Sequence, residues 1–263
     1  MSGLTFKHIY GPVYSWRMGM SLGIDPLSHS GKYCSFACPY CQLGAAQEYG
    51  IERRNFILPA DLTAEILSLP ADCRIDYLTF SGNGEPTLAA NLADLIKAAR
   101  QASPNKVAVI TNSATITQKD VQSDLALADL VLFKLDAADE AVFQQVNRPA
   151  PGITLAKIVE GIKAFRKIYK GKLALQMMFV SYNQSSATQM AQIARDIAPD
   201  EVHLNTPLRP SALPPLSVGE MSAIKRIFVA SGLPVLSVYE EEKKEYKPFD
   251  AAATVRRHGR YNE

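Results

Sequence analysis

The sequence has 263 residues, of which 47% are hydrophobic and 21% charged, and its formal net charge at pH 7 is +2. This composition is ordinary for a globular protein with a sizeable core, and so small a charge does not by itself indicate a nucleic-acid partner. No apolar run reaches the length of a membrane span, and the first residues lack the apolar core of a secretory signal. Four cysteines in a chain of this length do not indicate a disulfide framework, so we expect a cytoplasmic protein.

Segments with strand and helix patterns alternate along most of the chain, after a glycine-rich approach over residues 9–26. Predicted strands lie at 18–24, 75–80, 107–110, 130–133, 173–180, 201–204 and 235–238. Predicted helices lie at 58–69, 92–100, 118–126, 138–146, 155–169, 185–197 and 219–230. This order predicts an α/β fold with parallel strands joined by right-handed crossovers.

Polar residues recur directly after the predicted strands, as in the loop at 82–85, at Thr111 and Asn112, at Asp136 and at Asn205. In barrel folds the loops at the carboxyl ends of the strands converge on one mouth, whereas a doubly wound sheet binds ligands only at its switch point. A closed or partly closed barrel therefore fits better. We expect this core to span residues 1–210, with residues 211–263 as a C-terminal extension packed on the same domain.

Three of the four cysteines, Cys34, Cys38 and Cys41, lie within eight residues. Iron–sulfur clusters are normally held by four thiolates, so three thiolates leave one iron open. An open coordination position distinguishes catalytic from structural metal sites. The alternative is a zinc site that takes its fourth ligand from His29 or His203, although no second Cys-x-x-Cys pair is present. Cys73 stands alone before a predicted strand.

The Cys-x3-Cys-x2-Cys spacing, with Tyr40 before the last cysteine, resembles that of the radical S-adenosylmethionine superfamily. The resemblance implies a partial (β/α)6-type TIM barrel, with a [4Fe–4S] cluster on the three cysteines and S-adenosyl-L-methionine on the open iron. It further implies reductive cleavage of that cofactor to a 5′-deoxyadenosyl radical, which abstracts a hydrogen atom from the substrate. A reductant protein such as flavodoxin or ferredoxin is implied as a partner.

The loop Gly82-Asn83-Gly84-Glu85-Pro86 is similar to the Gly-Gly-Glu-Pro loop of that superfamily. The similarity implies that its first four residues hold the methionine end of the cofactor, with the Glu85 carboxylate on the ammonium group. Taken alone, the same residues are typical of an Asn-Gly turn. The resemblance also makes four further residues candidate contacts of the cofactor or substrate: Tyr40, Thr111, Asn112 and Asp136.

Longer strings resemble one subgroup, the proteins similar to tRNA wyosine-base (4-demethylwyosine) synthetases. These strings are 11–13, 21–24, 41–44, 81–88, 135–137, 147–149 and 204–207. The synthetases carry a second cluster on three further cysteines, whereas only Cys73 is left here, so we expect a single cluster. The substrate stays open among a tRNA base, a peptide and a small metabolite. A non-catalytic zinc- or cluster-binding module is the alternative from another class.

Four residues are candidates for binding a polar or anionic part of the substrate, because guanidinium and amide groups suit phosphates and carboxylates: Arg17, Arg148, Asn205 and Arg209. Each also has a structural interpretation, as a packing residue in a loop for Arg17 and as part of a helix end for Arg148. No catalytic acid or base is predicted. The basic tail at 254–261 is interpreted as a surface-packed or mobile terminus, with contact to RNA as the alternative.

Overall fold

A computed structural model describes residues 5–44, 48–70, 72–240, 244 and 246–258. The strands of this described part are β1 (Ile9–Ser15), β2 (Gly19–Ile24), β3 (Tyr33–Cys34), β4 (Glu48–Tyr49), β5 (Tyr77–Phe80), β6 (Lys106–Thr111), β7 (Leu130–Lys134), β8 (Lys172–Met178), β9 (Glu201–Asn205) and β10 (Val235–Ser237). The helices are α1 (Pro59–Leu67), α2 (Leu92–Ala102), α3 (Lys119–Leu125), α4 (Glu140–Val146), α5 (Leu155–Ile168), α6 (Ala187–Ile197), α7 (Val218–Ala230) and α8 (Ala251–His258). No helix among them is long and apolar enough to cross a membrane.

Eight of the strands form one curled sheet in the order β1-β2-β5-β6-β7-β8-β9-β10, the half-barrel expected of a partial TIM barrel. Neighbouring strands from β2 to β10 are parallel, and only β1 runs antiparallel, against β2. The short strands β3 and β4 pair separately within the cysteine region. Because the parallel strands share one direction, their carboxyl ends meet at one edge of the sheet, and the α/β barrel prediction is confirmed.

The prediction was wrong for the glycine-rich approach, where residues 9–15 form a strand instead of a loop. This strand and β2 make a hairpin whose turn holds Gly19 in the left-handed region, at φ +73°. On Gly23 the missing side chain makes room for the Tyr10 ring, which would lie 2.1 Å from a Cβ at that position. The glycines of this approach, which are typical of loops, are therefore what allows the two strands of the hairpin to pack.

The alternation of side chains gives the sheet two different faces. Val109, Phe133 and Leu175 belong to the large apolar core that also contains helix residues such as Phe165 of α5. The residues of opposite parity point to the other face, which we call the inner face. At the amino ends of the strands the inner face carries a small apolar cluster, made of Met18, Ala108, Leu130, Leu132 and Ala174. These apolar side chains therefore close the half-barrel at the amino ends of its strands, which we call the floor. The upper part, toward the carboxyl edge, is left for polar groups.

Two of the helices that cover the outer face, α5 and α7, start at side-chain caps. Thr154 caps α5 by accepting a hydrogen bond from the backbone of Lys157, and Ser217 forms a capping box with Glu220 at the start of α7. Along α5, residues at helical spacing are buried, including Ile158, Ile162 and Phe165. In α5, the local cap sets the start of the helix and the apolar stripe sets the face that it presents to the sheet.

The C-terminal part of the chain packs on the same sheet. β10 extends the parallel ladder beside β9, and α8 contacts β1. Gly11 donates its backbone N–H to Thr254 Oγ1 at 3.0 Å. Arg257 of the basic tail is 5% exposed and ion-paired with Asp25, so it is not available to RNA. Residues 251–258 are therefore packed on the fold, which is one of the two interpretations given to the tail, and residues 259–263 lie outside the described residues.

Candidate functional site

The three clustered cysteines lie on the connection between β2 and α1, at the carboxyl edge of the sheet. Cys34 belongs to β3, and the next two form a turn in which the Cys41 N–H donates to the Cys38 carbonyl at 3.0 Å. The connection is fastened to the segment after α4, because Ala37 N–H donates to the carbonyl of Asn147 at 3.1 Å and Ala150 N–H donates to that of Ser35 at 2.9 Å. Backbone contacts therefore fix the positions of the thiols.

Nitrogen donors surround these thiols. Cys34 Sγ accepts from the Phe36 backbone N–H at 3.5 Å and from Asn112 Nδ2 at 3.6 Å. Cys38 Sγ accepts from Asn147 Nδ2 at 3.7 Å. N–H groups directed at sulfur are the outer partners that hold and tune iron–sulfur ligands.

One buried lysine, Lys32, lies beside the three thiols of this loop. Burial raises the pKa of Cys34 to about 12 and also raises the pKa of Cys38, so both thiols are poor anions on their own. Burial alone would lower the pKa of Lys32, yet its position beside Cys41, Cys34 and Cys38 raises that pKa above its ordinary value. One buried ammonium thus faces all three sulfurs, a donor set that suits iron.

The described residues do not form a single-ion site, since no three His, Cys, Asp or Glu side chains among them are arranged around one metal ion. His29 instead lies 3.3 Å from Glu48, and His203 lies 2.9 Å from Glu201. In a four-iron cluster each thiolate binds a different iron, which is a wider arrangement than one zinc ion requires. The residues present fit the cluster.

The loop after β5 packs directly against the cysteine loop. The missing side chain of Gly84 leaves room for the Tyr33 carbonyl, which would be 1.7 Å from a Cβ there, and a Cβ on Gly82 would lie 2.6 Å from Asp25 Cγ. Asn83 accepts the Tyr33 N–H at 3.0 Å. Both glycines lie at positive φ, +129° for Gly82 and +147° for Gly84, so this backbone requires glycine. These glycines therefore allow close contact between two loops of the chain.

Glu85 is 2% exposed and uses its carboxylate within the protein. Oε1 accepts from Thr87 N–H at 3.0 Å, Thr87 Oγ1 at 2.8 Å and Thr111 Oγ1 at 2.7 Å, while Oε2 accepts the Asn112 N–H at 2.6 Å. Burial raises its pKa, and these hydrogen bonds oppose that effect. The carboxylate therefore joins the β5 and β6 loops and orients Asn112 toward Cys34. Its contact with a methionine ammonium stays a prediction.

Asp136 is the centre of a second buried network. Its Oδ2 accepts from the Tyr40 hydroxyl and from Asn147 Nδ2 at 2.8 Å, and its Oδ1 accepts the Met178 N–H at 2.8 Å. Lys134 Nζ lies 3.6 Å from Oδ2 and 4.8 Å from the centre of the Tyr40 ring. Burial, followed by the charge of Asp136, holds the pKa of Tyr40 well above its usual range, so the phenol donates its proton. Through Asn147 this network reaches Cys38.

The predicted substrate residues separate into two places. Arg209 Nη2 lies 2.9 Å from His258 Nε2, and the pKa of His258 is lowered to about 3 by burial and then by the charges of Arg209 and Arg17. Arg209 also donates to Gln42 Oε1 at 2.6 Å. Arg148 lies elsewhere: its carbonyl accepts from the Tyr49 hydroxyl at 2.6 Å, and its side chain is exposed.

Asn205, the remaining candidate, lies at the carboxyl end of β9, and its Oδ1 accepts the N–H of the next residue, Thr206, at 2.9 Å. Lys134, Asn147 and Asn183 belong to the network around Asp136 but were not predicted from the sequence. Asn183 donates to the Asp136 carbonyl at 2.7 Å and carried no sequence signal. Asn147 belongs to the string 147–149, which resembles the wyosine-base synthetases, but it was interpreted only as part of a helix end.

Residues 29–191 match the Radical SAM superfamily. A UPF0026 protein of Synechocystis sp. is 39% identical over 210 residues, which cover 80% of this chain and 78% of that protein. A UPF0026 protein of Methanocaldococcus jannaschii is 40% identical over 207 residues, covering 76% of this chain and 64% of that protein.

Two solved structures share the fold at 15% identity, which supports the fold alone. Streptococcus suis SuiB bound to its precursor peptide SuiA has a TM-score of 0.65 and covers 84% of this chain, which spans 50% of SuiB. TYW1 with a bound lysine–pyruvate adduct has a TM-score of 0.60, with 81% of this chain and 75% of that chain covered. From its matched region and its close relatives, the chain belongs to the radical SAM superfamily, enzymes that use a [4Fe–4S] cluster and S-adenosylmethionine, and within it to the UPF0026 family.

Proposed function

We propose that the chain holds a single [4Fe–4S] cluster on Cys34, Cys38 and Cys41 and cleaves S-adenosyl-L-methionine reductively to start a radical reaction. The observation that carries the proposal is the set of three thiols on one anchored loop, all facing the ammonium of Lys32. When bound, the cluster and S-adenosylmethionine supply a 5′-deoxyadenosyl radical that takes a hydrogen atom from the substrate. The fourth cysteine, Cys73, lies in the connection between α1 and β5, so one cluster is expected.

The chain contributes charge compensation and orientation around the sulfurs. The Lys32 ammonium offsets the negative charge of the three thiolates, and it is tied to the Gly44 carbonyl at 2.9 Å. The amides of Asn112 and Asn147 donate to two of the sulfurs, which lowers electron density there and makes reduction easier.

Eight residues at the carboxyl edge are proposed to hold the cofactor. The backbone of the β5 loop holds the methionine end, and the polar groups after β6 and β7 hold the ribose or the substrate beside it. Glu85 contributes by holding Thr111 and Asn112 in place through hydrogen bonds, and Tyr40 contributes by donating a hydrogen bond to Asp136. The set comprises Gly82, Asn83, Gly84, Glu85, Thr111, Asn112, Tyr40 and Asp136.

The substrate is proposed to enter the polar upper part of the half-barrel. Asn205 ends β9 on this side and Arg209 follows it, with Arg209 Nη2 2.9 Å from His258 Nε2, while Arg17, in the turn between β1 and β2, also lowers the pKa of His258 through its charge. Arg148 is apart from them, beside Tyr49, which is 45% exposed and whose pKa is raised by burial and by Cys34 and Cys38. We therefore propose that a reductant protein such as flavodoxin or ferredoxin approaches the cluster on the side of Tyr49.

Anaerobic purification followed by iron and sulfide analysis tests the proposal. We expect about four irons and four labile sulfides per chain, lost in variants with alanine at Cys34, Cys38 or Cys41 and kept in Cys73→Ala. Under a strong reductant the intact protein should release methionine and 5′-deoxyadenosine. Bound zinc without labile sulfide would support the binding-module alternative, and a full cluster that yields no 5′-deoxyadenosine would contradict the enzymatic proposal.

A tRNA substrate is tested separately by measuring RNA binding against salt concentration. A phosphate-binding interface weakens steeply as salt rises, because counterions are released on binding. No binding even at low salt would remove the wyosine-synthase-like alternative and leave a peptide or a small metabolite as the substrate.

A further inference from the structure

Three polar residues form a row across neighbouring strands in the interior of the half-barrel. Lys134 of β7 is paired in register with Gln176 of β8, and Gln176 is paired with His203 of β9. They have the parity of Leu132 and Ala174, which belong to the apolar cluster of the inner face. The row therefore lies on the inner face, directly above the apolar floor.

Two atoms of this row are buried without a hydrogen-bond partner. Gln176 is 6% exposed and its Oε1 makes no hydrogen bond, while His203 is 0% exposed and its Nδ1 makes none. More than nine in ten buried polar groups in native proteins are paired, so each exception requires an explanation. Two such exceptions side by side on one face indicate a place where a bound group completes the hydrogen bonding.

The hydrogen bonds of His203 determine what that group must offer. Nε2 lies 2.9 Å from Glu201 Oε2, and the pKa of Glu201 is lowered to about 2, first by this hydrogen bond and then by Lys172, so the carboxylate is ionised and accepts. Burial lowers the pKa of His203, which keeps the ring neutral. With its single proton on Nε2, the ring presents Nδ1 as an acceptor. Gln176 Oε1 is also an acceptor.

We propose that Gln176 and His203 form a substrate subsite that accepts two hydrogen bonds from adjacent N–H groups, as the edge of an amide, urea or amidine presents them. Neighbouring strands lie about 4.8 Å apart, a separation over which two side chains reach both hydrogens of one planar group. The ring of Trp16 meets His203 edge-on, with the two ring centres 5.8 Å apart, and forms an aromatic wall beside the subsite.

This inference rests on the proposed function and refines it, because the subsite lies next to the proposed cofactor site. Asp136, Met178 and Asn205 follow the row by two residues on the same strands and loops, so they form the next layer, about 7 Å nearer the carboxyl edge. A substrate held by Gln176 and His203 therefore lies beneath the proposed cofactor site, with Lys134 between the two. This arrangement selects substrates with an N–H-bearing group next to the carbon that loses hydrogen.

Small probes test the subsite without any turnover. Crystals of the full chain are soaked with urea and, in parallel, with acetone, which has a similar planar shape but no N–H donors. We expect urea bound between Gln176 Oε1 and His203 Nδ1 and no acetone there. Titration in solution should show urea binding about tenfold more weakly to Gln176→Leu and to His203→Phe, the equivalent of one hydrogen bond.

Thermal unfolding supplies a second readout that does not depend on the probes. Gln176→Leu removes a buried unpaired acceptor, so the substrate-free variant should unfold at a higher temperature than the natural protein. Equal binding of acetone and urea, absence of urea from the subsite, or a lower unfolding temperature for Gln176→Leu would overturn the inference. None of these experiments uses the cluster. Urea binding would therefore support the subsite even if no 5′-deoxyadenosine were formed, and absence of urea binding would not contradict the proposed function.

Discussion

Arg257 Nε donates to Asp25 Oδ2 across 2.9 Å, and both side chains are buried. Asp25 directly follows β2, and its Cγ lies 2.6 Å from the position a Cβ on Gly82 would take. The guanidinium of Arg257 also donates to the Lys7 carbonyl. One buried carboxylate therefore connects the C-terminal helix with the two loops that build the candidate cluster site.

Removing only the cation of this pair should be strongly destabilising. Arg257→Met leaves the buried Asp25 carboxylate without its cation, which costs about 3–5 kcal/mol of unfolding free energy. The double variant Asp25→Asn with Arg257→Met should lose less than the sum of the single changes, as urea unfolding of all four proteins would show. Arg256→Met, exposed in the same helix, is the control and should change stability by less than about 0.5 kcal/mol. Equal effects of the two arginine substitutions would refute the buried pair.

Gly84→Ala should separate the β5 loop from the cysteine loop. The new methyl group would lie 1.7 Å from the Tyr33 carbonyl, so the backbone of one loop must move. We expect loss of cluster binding, measured as iron per chain after reconstitution, together with a fall in stability larger than that of the control.

Gly152→Ala is the matched control for this substitution. Gly152 also lies at positive φ, +86°, but nothing is within 4 Å of the place where its Cβ would be. It should cost only the backbone strain of about 1–2 kcal/mol and keep its iron. Similar iron loss in both variants would mean that loop contact at Gly84 is not what holds the site.

Much of the fold was predictable because the parallel strands carry short apolar runs and the helices carry one apolar stripe each. The strand β1 was not predictable from such patterns, since its glycine and proline residues are typical of loops and its pairing depends on the Tyr10 ring fitting over Gly23. The burial of Arg257 in α8 was equally hidden. The basic residues of the tail predict a surface-packed or mobile terminus, and only the distant Asp25 explains why Arg257 is buried.

For the candidate site, local spacing revealed the cysteines and the β5 loop, because those residues are close in sequence. Asn147 and Lys134 were missed since each acts through a partner far along the chain, such as Asn147 through Cys38. Gln176 looked like an ordinary strand residue, and His203 was considered only as a possible zinc ligand. Strand register alone brings them side by side, and register is a property of the assembled sheet.

Asn147→Leu should weaken the hold on the cluster while leaving the ligands themselves in place. The change removes the N–H groups that reach Cys38 Sγ at 3.7 Å and Asp136 Oδ2 at 2.8 Å. Loss of such outer partners typically costs about 10–100-fold in metal affinity. Iron release to a chelator should accelerate in this variant and not in Gln145→Leu, an exposed position of α4, the helix that ends just before Asn147. An unchanged release rate in Asn147→Leu would show that this amide plays no part in retaining the cluster.

Acid should unfold the protein partly through Glu201. Its folded pKa of about 2 lies below the ordinary value of 4.5, so its stabilising contribution is complete above pH 4.5 and is lost as the pH falls toward 2. Once solvent screening is allowed for, this contribution is about 1–2 kcal/mol. Urea unfolding of Glu201→Gln should show a flatter loss of stability over this range, whereas Glu160→Gln, exposed on α5, should follow the natural protein.

A residual slope beginning near pH 6.5 is expected in the Glu201 variant, because burial lowers the pKa of His203 and the unfolded chain takes up that proton first. Identical acid limbs for the natural protein and Glu201→Gln would show that the Glu201–His203 pair does not stabilise the sheet.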